Sequence, residues 1–225
     1  ASITKIMTLL VAVENSSMDE QGTFTETGVR NVAADSSNIN SKVGEVMTMQ
    51  DCLHALMIIS ANDAAAQIAE HVGGTEQNFI DMMNQRAAEI GCTNTHFTNS
   101  SGLPDETHYS SAKDMALIFR EGLKNKDFRS VLGDADYTIQ PTNMTSDKRV
   151  MHTHHPMFAP ESDIYYPGCI GGKTGFTNLA AHTLVTAILL WSCMELSFLP
   201  VAWIPRHYLI MDSGILRKRQ WMVAV

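Results

Sequence analysis

The sequence has little charge of either sign, and it lacks the features that mark several specialised classes of protein. Charged residues make up 18% of the 225 residues, and the formal net charge is −8. The only run of three basic residues is at 217–219. An acidic chain without a basic patch is not expected to bind nucleic acid. With 44% hydrophobic residues, the composition is instead that of a globular chain with a sizeable core.

Cysteine is also scarce, and its spacing does not suggest metal binding. The four cysteines form no CxxC pair, and Cys52 lies among apolar helix residues, so neither a zinc site nor a disulfide framework is indicated. The histidines of segment 152–155 lack an acidic partner at regular spacing, which disfavours a metal site there. We therefore predict no metal and no organic cofactor. The apolar stretch 183–204 contains Glu195 and Pro200, which disfavours a membrane span.

The hydrophobic pattern predicts a first half rich in helices and an end made of strands. Apolar residues three and four apart predict an amphipathic helix over 2–14, and helices over 49–60, 63–71, 75–90 and 111–123. Alternation and turn residues predict short strands or loops over 22–48, a loop over 92–110, a strand over 137–141, and two strands joined by a tight turn from Cys169 onward.

Ser2 and Lys5 form the first candidate for chemistry. Residues three apart lie on one face of a helix, so the amine can reach the hydroxyl. A lysine can remove the serine proton only if burial or a neighbouring cation lowers its pKa. The helix N-terminus also favours negative charge on a substrate oxygen near the Ser2 N–H. The SxxK pattern is short, however, and Ser110 with Lys113 matches it as well.

Two further motifs, read together with SxxK, indicate a particular class of enzyme. Ser60 and Asn62, in SANDAA, fall at the corner between two predicted helices, where a hydroxyl and an amide can face a cleft. In GGKTGFT, Lys173 and Thr174 offer a cation and a hydroxyl for a carboxylate, and Gly175 lets a substrate backbone approach the strand. SxxK, SxN and KTG in this order are typical of the penicillin-recognising serine enzymes.

The chain resembles the low-molecular-mass penicillin-binding proteins, the serine-type D-alanyl-D-alanine carboxypeptidases of peptidase family S11. The resemblance covers residues 1–187 and rests on ASITKIMT, GEVMTMQDCLHALMIISANDAAAQIAEHVGG, FIDMMNQRAAEIGCTNTHFTNSSGLPDETHYSSAKDMA and GGKTGFTNLA. It implies that Ser2 is the acylated nucleophile, that Lys5 is the general base and that Ser60 relays a proton to the leaving group. It also implies that Asn62 binds the substrate amide and that Lys173 and Thr174 bind the terminal carboxylate. The N–H groups of Ser2 and Phe176 are then expected to form the oxyanion hole.

The resemblance also implies a fold, a location and a set of partners. The fold is α/β (α+β), β-lactamase/transpeptidase-like, with a helical cluster packed on an antiparallel sheet that is incomplete in this chain. Residues 1–187 form the catalytic domain, expected to be a fragment without the signal peptide and first strands, and 188–225 is an atypical C-terminal segment. The expected partners are peptidoglycan stem peptides, with β-lactams as inhibitors, outside the cytoplasm. Membrane association is expected only through segments that are absent from this sequence or unrecognisable in it.

Three alternatives to the D,D-carboxypeptidase stay open at the level of sequence. A D,D-endopeptidase shares all three motifs. A class A-like β-lactamase needs a deacylating glutamate on a loop between SxN and KTG, and SAN in place of SDN disfavours it. A catalytically silent peptidoglycan-binding relative keeps the fold without the reaction.

Overall fold

The computed structural model describes residues 1–30, 36–190, 209–210 and 220–224. A 3-10 turn (Ser2–Thr4) opens the chain. The helices are α1 (Lys5–Asn15), α2 (Glu26–Arg30), α3 (Met49–Ile58), α4 (Asn62–Gly73), α5 (Glu76–Ile90), α6 (Ala112–Gly122) and α7 (Lys126–Leu132). The strands are β1 (Gln21–Thr23), β2 (Val46–Thr48), β3 (Asp136–Ile139), β4 (Arg149–His152), β5 (Cys169–Thr177), β6 (Ala181–Leu190), β7 (Leu209–Ile210) and β8 (Gln220–Ala224).

Helix α1 is the centre of the helical cluster. It contacts α3, α4, α5, α6 and α7, and every residue from Lys5 to Val13 is buried. The prediction of an amphipathic helix is therefore wrong, because the polar residues Lys5 and Thr8 are buried with the apolar ones. The spacing indicated a helix correctly, but neighbours surround it from Lys5 to Val13, so only its last two residues, Glu14 and Asn15, are exposed.

Local capping explains why most helix boundaries agree with the sequence. Thr48 and Asp51 form a capping box at the start of α3, and the Ser111 side chain accepts the N–H of Asp114 at the start of α6. Gly91, with a left-handed backbone, ends α5 as expected. Helix α7 was not predicted. It is only two turns long and begins where the Asn125 side chain accepts two backbone N–H groups.

Within the described residues, three antiparallel sheets accompany the helices. β1 pairs with β2, β3 pairs with β4, and the largest sheet has the strand order β5-β6-β8-β7. The predicted pair of strands after Cys169 is confirmed as β5 and β6, with Lys173 opposite Val185 in the register. The region 22–48, expected to hold short strands or loops, contains β1, β2 and also helix α2, and residues 31–35 lie outside the described part. The strand expected over 137–141 is found at Asp136–Ile139, while its partner β4 was not predicted.

Part of the atypical C-terminal segment joins the largest sheet. β8 pairs with β6 over five residue pairs, and β7 pairs with β8. Residues 183–190 of the stretch 183–204 belong to strand β6, and the remainder lies outside the described residues. Within the described ranges, no helix combines the length and the apolar character that crossing a membrane requires.

Candidate active site

The 3-10 turn and the first residue of α1 bring Ser2 and Lys5 together. Lys5 Nζ lies 3.4 Å from Ser2 Oγ, and the Lys5 side chain is fully buried. Burial penalises the ammonium form, and the positive charge of Lys173 penalises it further, so the pKa of Lys5 lies well below its ordinary value. The condition that makes a lysine a base is therefore present at this position.

The surroundings of Lys5 fix the direction of its lone pair. Lys5 Nζ donates to Asn62 Oδ1 and to the carbonyl oxygen of Ser101, both at 2.7 Å. A neutral amine has two N–H groups and one lone pair, and these two oxygens accept both N–H groups. The remaining position, toward Ser2 Oγ, is left for the lone pair, which can then take a proton from the hydroxyl.

Ser60 occupies the corner between α3 and α4, as the sequence predicted. Its backbone is left-handed, with φ of 65°, which is uncommon for a residue with a side chain. Its Oγ is buried and has no hydrogen-bond partner among the described residues. Two residues later, Asn62 begins α4 and donates its backbone N–H to the Ser37 carbonyl at 2.8 Å. A buried hydroxyl without a partner is the state expected of a group that meets its partner on a substrate.

Strand β5 places the KTG motif against the turn Ser2–Thr4, which carries the candidate nucleophile and is here called the nucleophile turn. Lys173 is 3% exposed, its Nζ donates to the Thr174 carbonyl at 2.9 Å, and burial lowers its pKa to about 8. Thr174 follows it at a half-buried position on the same strand. The two motif lysines are therefore close enough for the positive charge of Lys173 to lower the pKa of Lys5.

Gly175 and Phe176 complete the strand beside the turn. A Cβ atom at Gly175 would lie 2.9 Å from the Ser2 backbone nitrogen and 2.6 Å from Thr183 Oγ1. The sequence assigned this glycine to close approach of a substrate. The structure assigns it first to close approach of the nucleophile turn itself. The Phe176 ring is 57% exposed and lies 4.6 Å from the His182 ring, between centroids.

The motifs do not reveal the parts of the site that act through backbone carbonyl groups or that lie one residue beyond a motif. The Ser101 carbonyl accepts from Lys5, and the Ser100 carbonyl accepts from Thr8 Oγ1 at 2.6 Å. Carbonyl groups carry no residue-specific signal, so no pattern could have found them. Asp63 was also missed: its buried carboxylate accepts the backbone N–H groups of Ile39 and Ser41.

Other candidate sites in the described part of the chain lie elsewhere or are absent. A surface groove of about 410 Å³ holds none of the predicted site residues; it is lined by Val11, Glu14, Asn15, Met82, Gln85, Arg86 and Glu89. The described residues contain no group of three or more His, Cys, Asp or Glu side chains that could hold a metal ion. Cys52, Cys92 and Cys169 are free thiols, and Cys193 lies outside the described residues.

Curated relatives match most of this chain but are longer than it. A D-alanyl-D-alanine carboxypeptidase of Bacillus subtilis is 35% identical over 190 residues, which is 83% of this chain and 47% of the relative. Carboxypeptidases of Mycobacterium tuberculosis and Streptomyces sp. K15 are 34% and 32% identical over 83% of this chain. Those matches cover 61% and 66% of the relatives, so the chain spans about half to two-thirds of their length.

Solved structures agree with the fold. The crystal structure of a D-alanyl-D-alanine carboxypeptidase from Mycobacterium tuberculosis H37Rv superimposes with a TM-score of 0.76 at 26% identity, covering 100% of this chain and 71% of that one. A point mutant of the Streptomyces K15 DD-transpeptidase gives a TM-score of 0.75 at 29% identity, over 83% of this chain and 75% of that one. The likeness confirms the expected penicillin-binding-protein fold, a mixed α/β arrangement of the β-lactamase type.

A family model extends the agreement over nearly the whole described chain. The model described as Peptidase S11, D-alanyl-D-alanine carboxypeptidase, matches residues 1–189. These residues contain all three motifs and the elements that carry them, namely the Ser2–Thr4 turn, the α3–α4 corner and β5. The chain belongs to peptidase family S11, the D-alanyl-D-alanine carboxypeptidases.

Proposed function

We propose that this chain carries the catalytic residues of a serine D,D-carboxypeptidase, which removes the terminal D-Ala from peptidoglycan pentapeptide stems. The observation that carries the proposal is the environment of Lys5. Its amine is fully buried, its two N–H groups have acceptors in Asn62 and Ser101, and it lies 3.4 Å from Ser2 Oγ. This is the arrangement that turns a serine into a nucleophile without a histidine.

The acylation step follows from these contacts. Lys5 takes the Ser2 proton while Ser2 Oγ attacks the carbonyl carbon of the penultimate D-Ala. The resulting oxyanion lies between the N–H groups of Ser2 and Phe176. The peptide C–N bond then breaks, and the leaving amine of the terminal D-Ala receives a proton through the Ser60 hydroxyl. Water hydrolyses the ester on Ser2 in the second half-reaction, with Lys5 again holding the proton.

Substrate binding is assigned to β5 and Asn62. Lys173 and Thr174 bind the terminal carboxylate, because a cation and a hydroxyl on adjacent residues suit two carboxylate oxygens. The Asn62 side chain has its oxygen on Lys5, so its NH₂ group is available to a substrate carbonyl. β-Lactams mimic the same carboxylate and carbonyl, and they acylate Ser2. The proposed substrate places the enzyme outside the cytoplasm, where the peptidoglycan wall lies.

One relative supports a second candidate reaction at the same site. A D-alanyl-D-alanine endopeptidase of Escherichia coli is 28% identical over 192 residues. An endopeptidase would cut the cross-link between two stems, using the same nucleophile and base. Incubation with a pentapeptide stem and with a cross-linked dimer distinguishes the two reactions, because the carboxypeptidase releases free D-Ala from the first.

The proposal is tested by covalent labelling with a fluorescent penicillin. We expect a long-lived adduct that is lost in Ser2→Ala and in Lys5→Met, with an unchanged far-UV circular dichroism spectrum. Ser110→Ala is the matched control, because Ser110 and Lys113 have the same spacing but lie exposed on the surface, and it should label normally. Absence of an adduct in the wild type would favour a silent relative, and rapid turnover of the drug would favour a β-lactamase.

A further inference from the structure

Three buried polar side chains at the start of α1 all contact one loop. Thr4, Lys5 and Thr8 lie one helical turn apart or closer, and all three are buried. Each contacts the loop between α5 and α6: Thr4 Oγ1 meets His108, Lys5 donates to the Ser101 carbonyl and Thr8 donates to the Ser100 carbonyl. The proposed reaction uses only the Lys5 contact. The Thr4 contact has no assigned role.

His108 is held on both ring nitrogens. Its Nε2 lies 2.8 Å from Thr4 Oγ1, and its Nδ1 accepts the backbone N–H of Thr98 at 3.1 Å. Its ring also packs edge-on against Phe97, with 5.7 Å between centroids. The imidazole therefore has one orientation, which is fixed from the loop side and faces the nucleophile turn.

The hydrogen bonds also determine the tautomer. A backbone N–H can only donate, so Nδ1 is the acceptor and the neutral ring carries its proton on Nε2. That proton is donated to Thr4 Oγ1. Burial lowers the pKa of His108 to about 4, so the neutral form is the one present near pH 7.

We infer that His108 is a positioning residue, which sets the geometry of the nucleophile turn by donating from Nε2 to Thr4. This inference rests on the proposed function of Ser2. Thr4 lies between Ser2 and Lys5, and its backbone N–H closes the turn on the Ala1 carbonyl at 3.1 Å. Rotation or displacement of Thr4 therefore changes the 3.4 Å separation of the two reacting groups. Small misplacements of reacting groups are costly, since about 1 Å can lower a rate by 10²-fold.

Four variants test the inference through the rate of acylation by fluorescent penicillin. His108→Ala and Thr4→Val each remove one side of the contact, and we expect each to lower the acylation rate roughly 10-fold or more. His108→Gln restores a donor and an acceptor on one side chain, and it should recover at least a third of the wild-type rate. His96→Ala is the matched control, because His96 is an exposed histidine of the same loop that bonds Thr107 and not the turn.

The pattern of the variants separates positioning from general stability. The double variant Thr4→Val/His108→Ala should acylate no more slowly than the slower single variant, because both changes break one contact. A wild-type acylation rate in His108→Ala would overturn the inference. So would a His108→Gln variant that recovers the wild-type thermal midpoint of unfolding but not the acylation rate. A wild type that forms no adduct overturns the proposed function instead. The Thr4–His108 coupling in the free energy of unfolding then decides whether the contact exists.

Discussion

Lys5 and Lys173 are both buried, yet the proposed reaction needs them in opposite protonation states. Lys5 must be neutral to accept a proton, and its complete burial together with the nearby charge of Lys173 favours that form. Lys173 must be charged to bind a carboxylate, and burial alone has lowered its pKa to about 8. The difference between the two residues comes from their neighbours, because Lys5 is affected by Lys173 as well as by burial.

These two lysines predict a bell-shaped dependence of acylation on pH. The rate should rise with pH as Lys5 loses its proton, and it should fall above about pH 8 as Lys173 becomes neutral and the carboxylate loses its partner. The measurement is the second-order rate constant for acylation between about pH 5 and 10. In Lys173→Arg the guanidinium stays charged, so the alkaline decline should disappear. An alkaline decline that is unchanged in this variant would exclude Lys173 as its cause.

Replacing Gly175 should affect the acylation step more than it affects folding. In Gly175→Ala the new methyl group would lie 2.9 Å from the Ser2 backbone nitrogen, so the turn must move away from β5. We expect acylation to fall by about 10²-fold, since the oxyanion donors on Ser2 and Phe176 would separate. Gly44→Ala is a useful comparison, because no atom lies near its Cβ position although its backbone is left-handed. It should reduce stability and leave the acylation rate of the folded protein unchanged.

At the level of elements, the α3–α4 corner depends on a segment that comes earlier in the chain. The buried Asp63 carboxylate accepts from the backbones of Ile39 and Ser41, and from the Ser41 hydroxyl at 2.7 Å. Ser37 in the same segment accepts the Asn62 N–H. The 37–41 segment therefore holds Asn62 and Asp63, the second and third residues after Ser60.

Replacing Asp63 tests this support. Asp63→Asn keeps the shape but leaves one oxygen to accept several donors, so a buried N–H loses its partner. We expect the free energy of unfolding to fall by about 1–3 kcal/mol and acylation to slow. Asp81→Asn, on the exposed side of α5, should change stability by less than about 0.5 kcal/mol. Equal unfolding midpoints for the two variants in urea would contradict the role of Asp63.

For the molecule as a whole, helix α1 joins the core and the chemistry in one element. Leu9 and Leu10 are fully buried on the helix that begins with Lys5. Leu9→Ala should lower the free energy of unfolding by about 2–5 kcal/mol, measured by urea denaturation. The 81% exposed Leu179 gives the control, and Leu179→Ala should stay within about 0.5 kcal/mol of the wild type. Similar losses for both would contradict the central position of α1.

Local signals made much of this fold predictable. Capping side chains and glycines marked the ends of α3, α5 and α6, and three motifs indicated Ser2, Ser60 and Lys173 with their neighbours. The features that the sequence pattern did not predict depend on contacts between residues that are distant along the chain. Whether α1 has an exposed face depends on the helices around it, and the acceptors of Lys5 include a carbonyl 96 residues away. The residues of β4, 149–152, form a strand because β3 supplies a partner.

The backbone at Ser60 places two demands on one amino acid. A left-handed φ of 65° suits glycine, while the proposed proton transfer needs a hydroxyl, and glycine lacks one. Selection for a more stable fold should therefore favour glycine at this position, whereas selection for faster turnover should favour a residue with a hydroxyl group. The serine found there marks which of the two has prevailed.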